Sequence, residues 1–258
     1  MASILLIIEH SIAFITLNRP EKYNAINREM AFEFQAALDD CANDKTIRCV
    51  YITGAGKAFC AGQDLDEVID PKGPGMNRIL SEHFNPIITK IQRLEKPVVA
   101  AVNGVAAGAG ANIALICDVV VAANSASFIQ AFSKIGLIPD SGGTFILPRL
   151  IGLQKASAIM MLGDKIMAEE AERLGMIYKW FPDDGFDTSS KQIATTLAAL
   201  PTVGLALTKK ALQWSDTHAL REQLENEDKL QQRAAATKDF KEGVRAFIEK
   251  RKAEFIGE

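Results

Sequence analysis

Three segments carry residue types whose spacing suits chemistry on a negative oxygen and a mobile proton. The first is Thr53-Gly54-Ala55-Gly56-Lys57-Ala58-Phe59-Cys60-Ala61-Gly62-Gln63-Asp64-Leu65. The second is Asn103-Gly104-Val105-Ala106-Ala107-Gly108-Ala109-Gly110-Ala111-Asn112. Glycines let a ligand approach the main chain and permit conformations that other residues resist. The second segment then turns helical, where free N–H groups and the positive dipole end favour a negative oxygen. Each loop alone reads equally well as a tight turn packing strand against helix. The third segment runs from Phe128 to Thr144 and contains one carboxylate, Asp140. It stands in sequence among Ile135, Leu137, Ile138 and Phe145, where burial would raise its pKa and suit it to carrying a proton. The competing reading makes Asp140 the N-cap of the helix that follows.

Familiar nucleotide motifs fail here. A P-loop would need Gly at Tyr51 and Ser or Thr at Ala58, and a dinucleotide fingerprint starting at Gly108 would need Gly at Ile113. There is no GxSxG elbow. His10, His83 and His218 have no metal-ligand spacing around them, so no metal is expected. A net charge of -3 argues against a nucleic-acid partner. Cys41, Cys49, Cys60 and Cys117 lack CxxC pairing and read as buried thiols of a reducing, cytoplasmic compartment.

The elements that must hold these segments alternate between strand and helix. Strands are expected at 4–9, 12–17, 47–53, 98–102 and 118–122, with helices at about 27–41 and 77–95. This alternation predicts an α/β core with largely parallel strands. The apolar start, Met1 to Leu17, alternates as strands do and lacks a basic leader region, so it is not read as a signal peptide. Pro97 to Ile116 is nearly long enough to span a bilayer, yet its glycines and asparagines favour a buried strand followed by a buried helix, so no membrane contact is expected. After residue 200 helices follow at 201–215, 218–236 and 238–252, the last with a stripe of Phe240, Val244, Phe247 and Ile248 read as core packing, with burial of part of that apolar surface against another subunit as the alternative. The stretch from Glu67 to Phe84, with Pro71, Gly73, Pro74 and Gly75, reads as a loop-rich pocket wall.

In this order and spacing, the three segments resemble the crotonase family of enoyl-CoA hydratases and isomerases. Leu17-Asn18-Arg19-Pro20 followed by Asn24-Ala25 is similar to the family's N-terminal signature. Residues 242–251, Glu242 to Arg251, are similar to its C-terminal one. The likeness covers essentially the whole chain. Gly-Lys-Ala-Phe-Cys-Ala-Gly-Gln-Asp-Leu and Ala-Phe-Ser-Lys-Ile-Gly-Leu-Ile-Pro-Asp resemble the branch that isomerises ring-1,2-epoxyphenylacetyl-CoA to its oxepin form and also shifts enoyl-CoA double bonds.

The resemblance implies a spiral of ββα units over residues 1–200 and a helical trimerisation region over 201–258, in homotrimers or hexamers. It implies an acyl-CoA thioester substrate, with coenzyme A part of that substrate and no separate cofactor. Matching motif positions puts two backbone oxyanion donors at Gln63 and Ala109 and a proton-carrying carboxylate at Asp140. Lys22, Ala25, Ala61, Asp64, Leu65 and Gly108 fall at substrate-contact positions, and Lys250 matches a lysine that reaches CoA phosphate from a neighbouring subunit. The two glutamates of the water-adding members are matched by Asn112 and Phe132, neither able to act as acid or base. The function expected is therefore isomerisation through a thioester enolate. A general fatty enoyl-CoA hydratase/isomerase and an inactive CoA-thioester-binding scaffold are the alternatives.

Overall fold

In the computed structural model, which describes residues 2–258, the short apolar runs become the strands of two sheets. The first five strands are β1 (Ile4–Glu9), β2 (Ile12–Leu17), β3 (Cys49–Gly54), β4 (Ala58–Cys60) and β5 (Val98–Val102). They are followed by β6 (Val105–Ala107), β7 (Val119–Ala123), β8 (Ser127–Ile129), β9 (Lys165–Met167) and β10 (Lys179–Phe181). The larger sheet has the order β1-β2-β3-β5-β7-β10 and the smaller one β4-β6-β8-β9. Only the pairs β1·β2 and β8·β9 are antiparallel. Three times the chain makes the same move: a strand in the larger sheet, a turn, a short strand in the smaller sheet, then a helical segment. This is the expected succession of ββα units.

Twelve α-helices occur among the described residues. They are α1 (Arg28–Asn43), α2 (Leu65–Ile69), α3 (Gly75–Arg78), α4 (Asn85–Arg93), α5 (Ala109–Leu115) and α6 (Gly143–Ile151). The remainder are α7 (Leu153–Leu162), α8 (Ala168–Arg173), α9 (Phe186–Ala198), α10 (Thr202–Ser215), α11 (Leu220–Ala235) and α12 (Lys238–Glu249). Asn27 caps α1 by accepting the Met30 N–H at 3.0 Å, and Met30, Phe34, Leu38 and Cys41 form its buried face. The central strand β5 is buried at every residue, as a parallel strand covered on both faces requires. Each large apolar side chain buried this way, such as Phe34 or Phe59, stabilises the fold by about 1.5–3 kcal/mol.

Several expectations change. The helix expected at 77–95 is broken by a π-helical turn at Ile79–Phe84. The expected loop-rich wall at 67–84 is mostly helical, with Ile79, His83 and Phe84 buried. Pro97 to Ile116 forms β5, β6 and α5, and no helix among the described residues is long and apolar enough to cross a membrane. Met1 lies outside the described residues, while the rest of the apolar start forms β1 and β2. The α12 stripe is not core: Phe240, Val244, Phe247 and Ile248 are all exposed, and the helix buries Asp239 and Ala246 instead. The period marked an apolar face correctly, but the rest of the chain covers it only in part. α12 also stops earlier than expected, because Lys250 turns left-handed with φ 53°.

One buried side chain ties the start of the fold to the region after β3. Asn24, left-handed at φ 57°, accepts the Arg19 N–H at 2.8 Å. Its Nδ2 donates to the Ala55 and Ala58 carbonyls at 2.9 and 2.8 Å. Asn24→Ala removes all three bonds and leaves the Arg19 N–H and the Ala55 carbonyl without a partner, a loss expected to cost about 1–3 kcal/mol. The check is a lower urea midpoint at an unchanged slope.

Candidate active site

The chemistry-bearing segments converge on the first turn of α5. Gly62 lies so near that a Cβ on it would stand 2.9 Å from the Ala107 oxygen and 3.3 Å from the Ala109 nitrogen. Gly62 and Gly108 hold φ angles of 93° and 53°, which residues with side chains resist. Each is followed by a main-chain N–H, on Gln63 and on Ala109, that has no acceptor among the described residues.

Bonds on the same peptide planes fix the direction of these donors. The Gly62 carbonyl accepts the Ile26 N–H at 2.7 Å, and the Asp64 N–H returns to the Ile26 carbonyl at 2.9 Å. In a planar trans peptide the C=O and the next N–H point opposite ways, so the Gln63 N–H faces away from Ile26. The Gly108 carbonyl accepts the Asn112 N–H at 3.2 Å, which turns the Ala109 N–H out of the helix end. Phe132, buried, backs this turn, 3.6 Å from where a Gly108 Cβ would stand.

Asp140 is tethered one helical turn from Ala109. Asn112 Nδ2 donates to the Asp140 carbonyl at 2.8 Å, and Gln130 Nε2 donates to Asn112 Oδ1 at 2.8 Å. The Asp140 carbonyl also accepts the Gly143 N–H at 2.8 Å. Its carboxylate accepts the Ser141 hydroxyl at 2.9 Å and caps no helix. The N-cap of α6 is Gly142, left-handed at φ 76°, so the capping reading of Asp140 is overturned. Burial pushes the Asp140 carboxyl above the usual range, while the Ser141 hydroxyl opposes the shift. The apolar neighbours expected around it are not a closed shell: Ile135, Leu137, Ile138 and Phe145 are all exposed.

The remaining candidate residues divide. Lys22, Ala25 and Ala61 meet, with the Ala61 N–H on the Tyr23 carbonyl and the Ala25 N–H on the Lys22 carbonyl, both at 3.0 Å. Lys22 is paired with Asp66 at 2.7 Å, which raises its pKa. Asp64 is buried, bonded to Arg19 at 2.8 Å and to the Asp66 N–H at 3.1 Å, so its carboxylate is occupied in structure. Leu65 is exposed and opens α2. Lys250 makes no hydrogen bond or ion pair with these residues among the described ones. It ends α12, whose following tail is fastened by Arg48 to the Leu200 and Phe255 carbonyls, at 2.7 Å each. Arg48 precedes β3, whereas Gln63 lies beyond its far end, about 20 Å along the strand.

Sequence reasoning missed the tethering role of Asn112, treating it only as a missing glutamate. Its signal was a lone amide in the apolar run Ala-Asn-Ile-Ala-Leu, because such an amide needs buried partners.

Comparison with known proteins adds independent findings. The model of the family "Enoyl-CoA hydratase/isomerase" matches residues 7–258. The chain is 45% identical to 1,2-epoxyphenylacetyl-CoA isomerase of Escherichia coli K12, over 100% of this chain and 99% of that protein. It is 34% identical to 2,3-dehydroadipyl-CoA hydratase of the same organism, over the full length of both. A crystal structure of an enoyl-CoA hydratase from Bacillus anthracis matches with TM-score 0.91 at 32% identity, covering 99% of this chain and 100% of that one.

The raised Asp140 pKa has a stability consequence with a definite sign. The folded chain holds this proton more tightly than the unfolded chain. That contribution is complete below the unfolded value of about 3.9 and is lost as pH rises through the higher folded value. Asp140→Asn, never charged, is expected to melt above the parent at pH 7 and level with it near pH 3. Equal melting points at pH 7 would show that the carboxylate carries no desolvation penalty.

Proposed function

The chain belongs to the enoyl-CoA hydratase/isomerase family, and we propose that within it this protein is an acyl-CoA isomerase working through a thioester enolate. The observation that carries the reading is a pair of adjoining, unengaged main-chain donors, with the pKa-raised Asp140 tied through its carbonyl to Asn112 in the same helical turn as one of them. The Gln63 and Ala109 N–H groups hold the thioester oxygen, which gains negative charge as the enolate forms. Asp140 removes a proton from the carbon next to the thioester, and that C–H electron pair becomes the enolate. For a 3-enoyl thioester, Asp140 then returns the proton two carbons further along, leaving the double bond conjugated with the carbonyl. Burial suits Asp140 to both steps, because a raised pKa makes the protonated form accessible.

Addition of water needs a second acid or base. The positions matching the hydratase glutamates are Asn112, bonded to Asp140 and Gln130, and Phe132, buried behind Gly108. Neither can activate water, which favours isomerisation. The acyl group we assign is ring-1,2-epoxyphenylacetyl, supported by the 45% identity to the isomerase named for it, with linear 3-enoyl-CoA as a second substrate. CoA lies along the Lys22–Ala25 and Ala61–Leu65 backbone. Lys250 reaches its phosphates from a neighbouring subunit of a trimer or hexamer, since in its own chain it lies away from the donors. Residues 1–200 form the catalytic core and 201–258 the assembly region. The four unpaired, buried thiols suit a cytoplasmic protein.

Two variants test this reading. Asp140→Asn should lose about 10²–10⁴-fold in isomerase turnover and stop deuterium wash-in from heavy water at the acidic carbon of the substrate. Normal exchange in that variant would remove Asp140 from the chemistry. Ala109→Pro deletes one donor at the first position of α5, where proline is well tolerated, and should cost about 10²–10³-fold in turnover. A folded Ala109→Pro enzyme with full turnover would displace the proposed oxyanion hole. Hydration of a linear 2-enoyl-CoA outrunning isomerisation would favour the hydratase reading.

A further inference from the structure

Behind the Gln63 donor lies a partly buried group of polar side chains that the proton transfer does not use. Gln63 folds its side chain toward α2, where Nε2 donates to Glu67 Oε2 at 2.8 Å and to the Asp64 carbonyl at 3.1 Å. The other Glu67 oxygen accepts the Arg28 N–H at 2.9 Å, at the start of α1. The oxygen that holds Gln63 stands 3.8 Å from Nδ1 of His83. The His83 side chain is 0% exposed, and neither ring nitrogen has a hydrogen-bond partner among the described residues.

An imidazole buried without partners is a poor contribution to stability, because a hydrocarbon ring would fill the space without losing bonds to water. The backbone nevertheless takes trouble to place it. His83 sits in the π turn Ile79–Phe84, and such turns are uncommon and recur at functional sites. Gln35 of α1 secures the turn by donating to the Glu82 and His83 carbonyls at 2.7 and 3.3 Å. The ring packs edge-on against Phe32 at 5.9 Å between centroids. Burial lowers its pKa, with Glu67 pulling the other way, so the ring is neutral near pH 7 and keeps one N–H to donate.

We propose that His83 is a positioning residue for the Gln63 main-chain donor, acting through Glu67. Its Nδ1–H closes on Glu67 Oε2 only as negative charge develops on the thioester oxygen, since hydrogen bonds that are long in a free enzyme tighten toward the transition state. The carboxylate is then held on the Gln63 amide, and the loop that offers the Gln63 N–H is stiffened against the growing charge. His83 touches no reacting atom. The inference rests on reading Gln63 as one of the two oxyanion donors.

The test compares His83→Phe, which keeps the ring and its packing on Phe32, with His83→Asn, which restores a donor near the Nδ1 position. His83→Phe is expected to keep or raise the urea midpoint, lower kcat about tenfold and leave KM within about twofold, as loss of a contact tightened only during reaction does. His83→Asn should recover most of the loss. A second readout is bound acetoacetyl-CoA, whose enolate absorbs in the near ultraviolet. In His83→Phe the pH of half-enolisation should rise by about 1, matching a tenfold weaker hold on the oxyanion. The double variant with Glu67→Ala should lose no more than Glu67→Ala alone. Unchanged kcat and enolisation in His83→Phe, equal losses in His83→Phe and His83→Asn, or losses that multiply with Glu67→Ala would each overturn the proposal. Should His83→Phe not fold, His83→Gln, which offers its donor in place of Nε2, must show the loss that His83→Asn does not. Full turnover in Ala109→Pro overturns the underlying oxyanion reading, whereas an inactive Ala109→Pro beside a normal His83→Phe overturns only the role of His83.

Discussion

The arrangement depends on one constraint, which is that two main-chain N–H groups must stay unpaired in a fold where nearly every buried polar group has a partner. A free N–H is held open only if its own peptide plane is fixed from the other side. Ile26 does this for Gln63 by gripping the Gly62 carbonyl, and Asn112 does it for Ala109 by gripping the Gly108 carbonyl. Both grips need a glycine at positive φ just before the donor. The switch from larger to smaller sheet after β3 and after β5 brings Gly62 against the main chain of Ala107 and Ala109 on either side of Gly108.

The same few residues also set the carboxylate. Asn112 serves twice, closing the first turn of α5 through its main chain and anchoring the Asp140 carbonyl through its side chain. Its second amide face is taken by Gln130 beside β8, so the third ββα unit is locked to the second. The cost is a partly desolvated carboxyl on a loop whose next two residues, Ser141 and Gly142, are both left-handed. Local strain and a raised pKa thus meet at one residue, a combination that recurs at functional sites.

Much of the fold was legible in the sequence because apolar runs of strand length, such as Val98–Val102, have few alternatives. The glycine loops and Asp140 were legible as a set, since their types and order constrain the backbone more than any one of them does. What escaped was whatever depended on partners far along the chain. Asn24 and Asn112 are single polar residues whose side chains bond carbonyls 34 and 28 residues away. The π turn escaped for a related reason, because one inserted residue shifts the helical phase without breaking apolar periodicity over a short window. The Phe240 stripe was detected but misplaced: period reports that a face is apolar, not what covers it.

Because the unpaired donors on Gln63 and Ala109 belong to the main chain, ordinary side-chain substitution leaves both in place. Inheritance can therefore act on them only indirectly, through the glycines before them and the neighbours that orient their peptide planes. Residues 63 and 109 keep their N–H groups whatever side chain they carry, proline excepted. The acidic side chains around that cradle have no such shelter. A lineage built on this backbone can exchange, gain or lose a carboxylate by single codon changes without redesigning the pair of open main-chain donors.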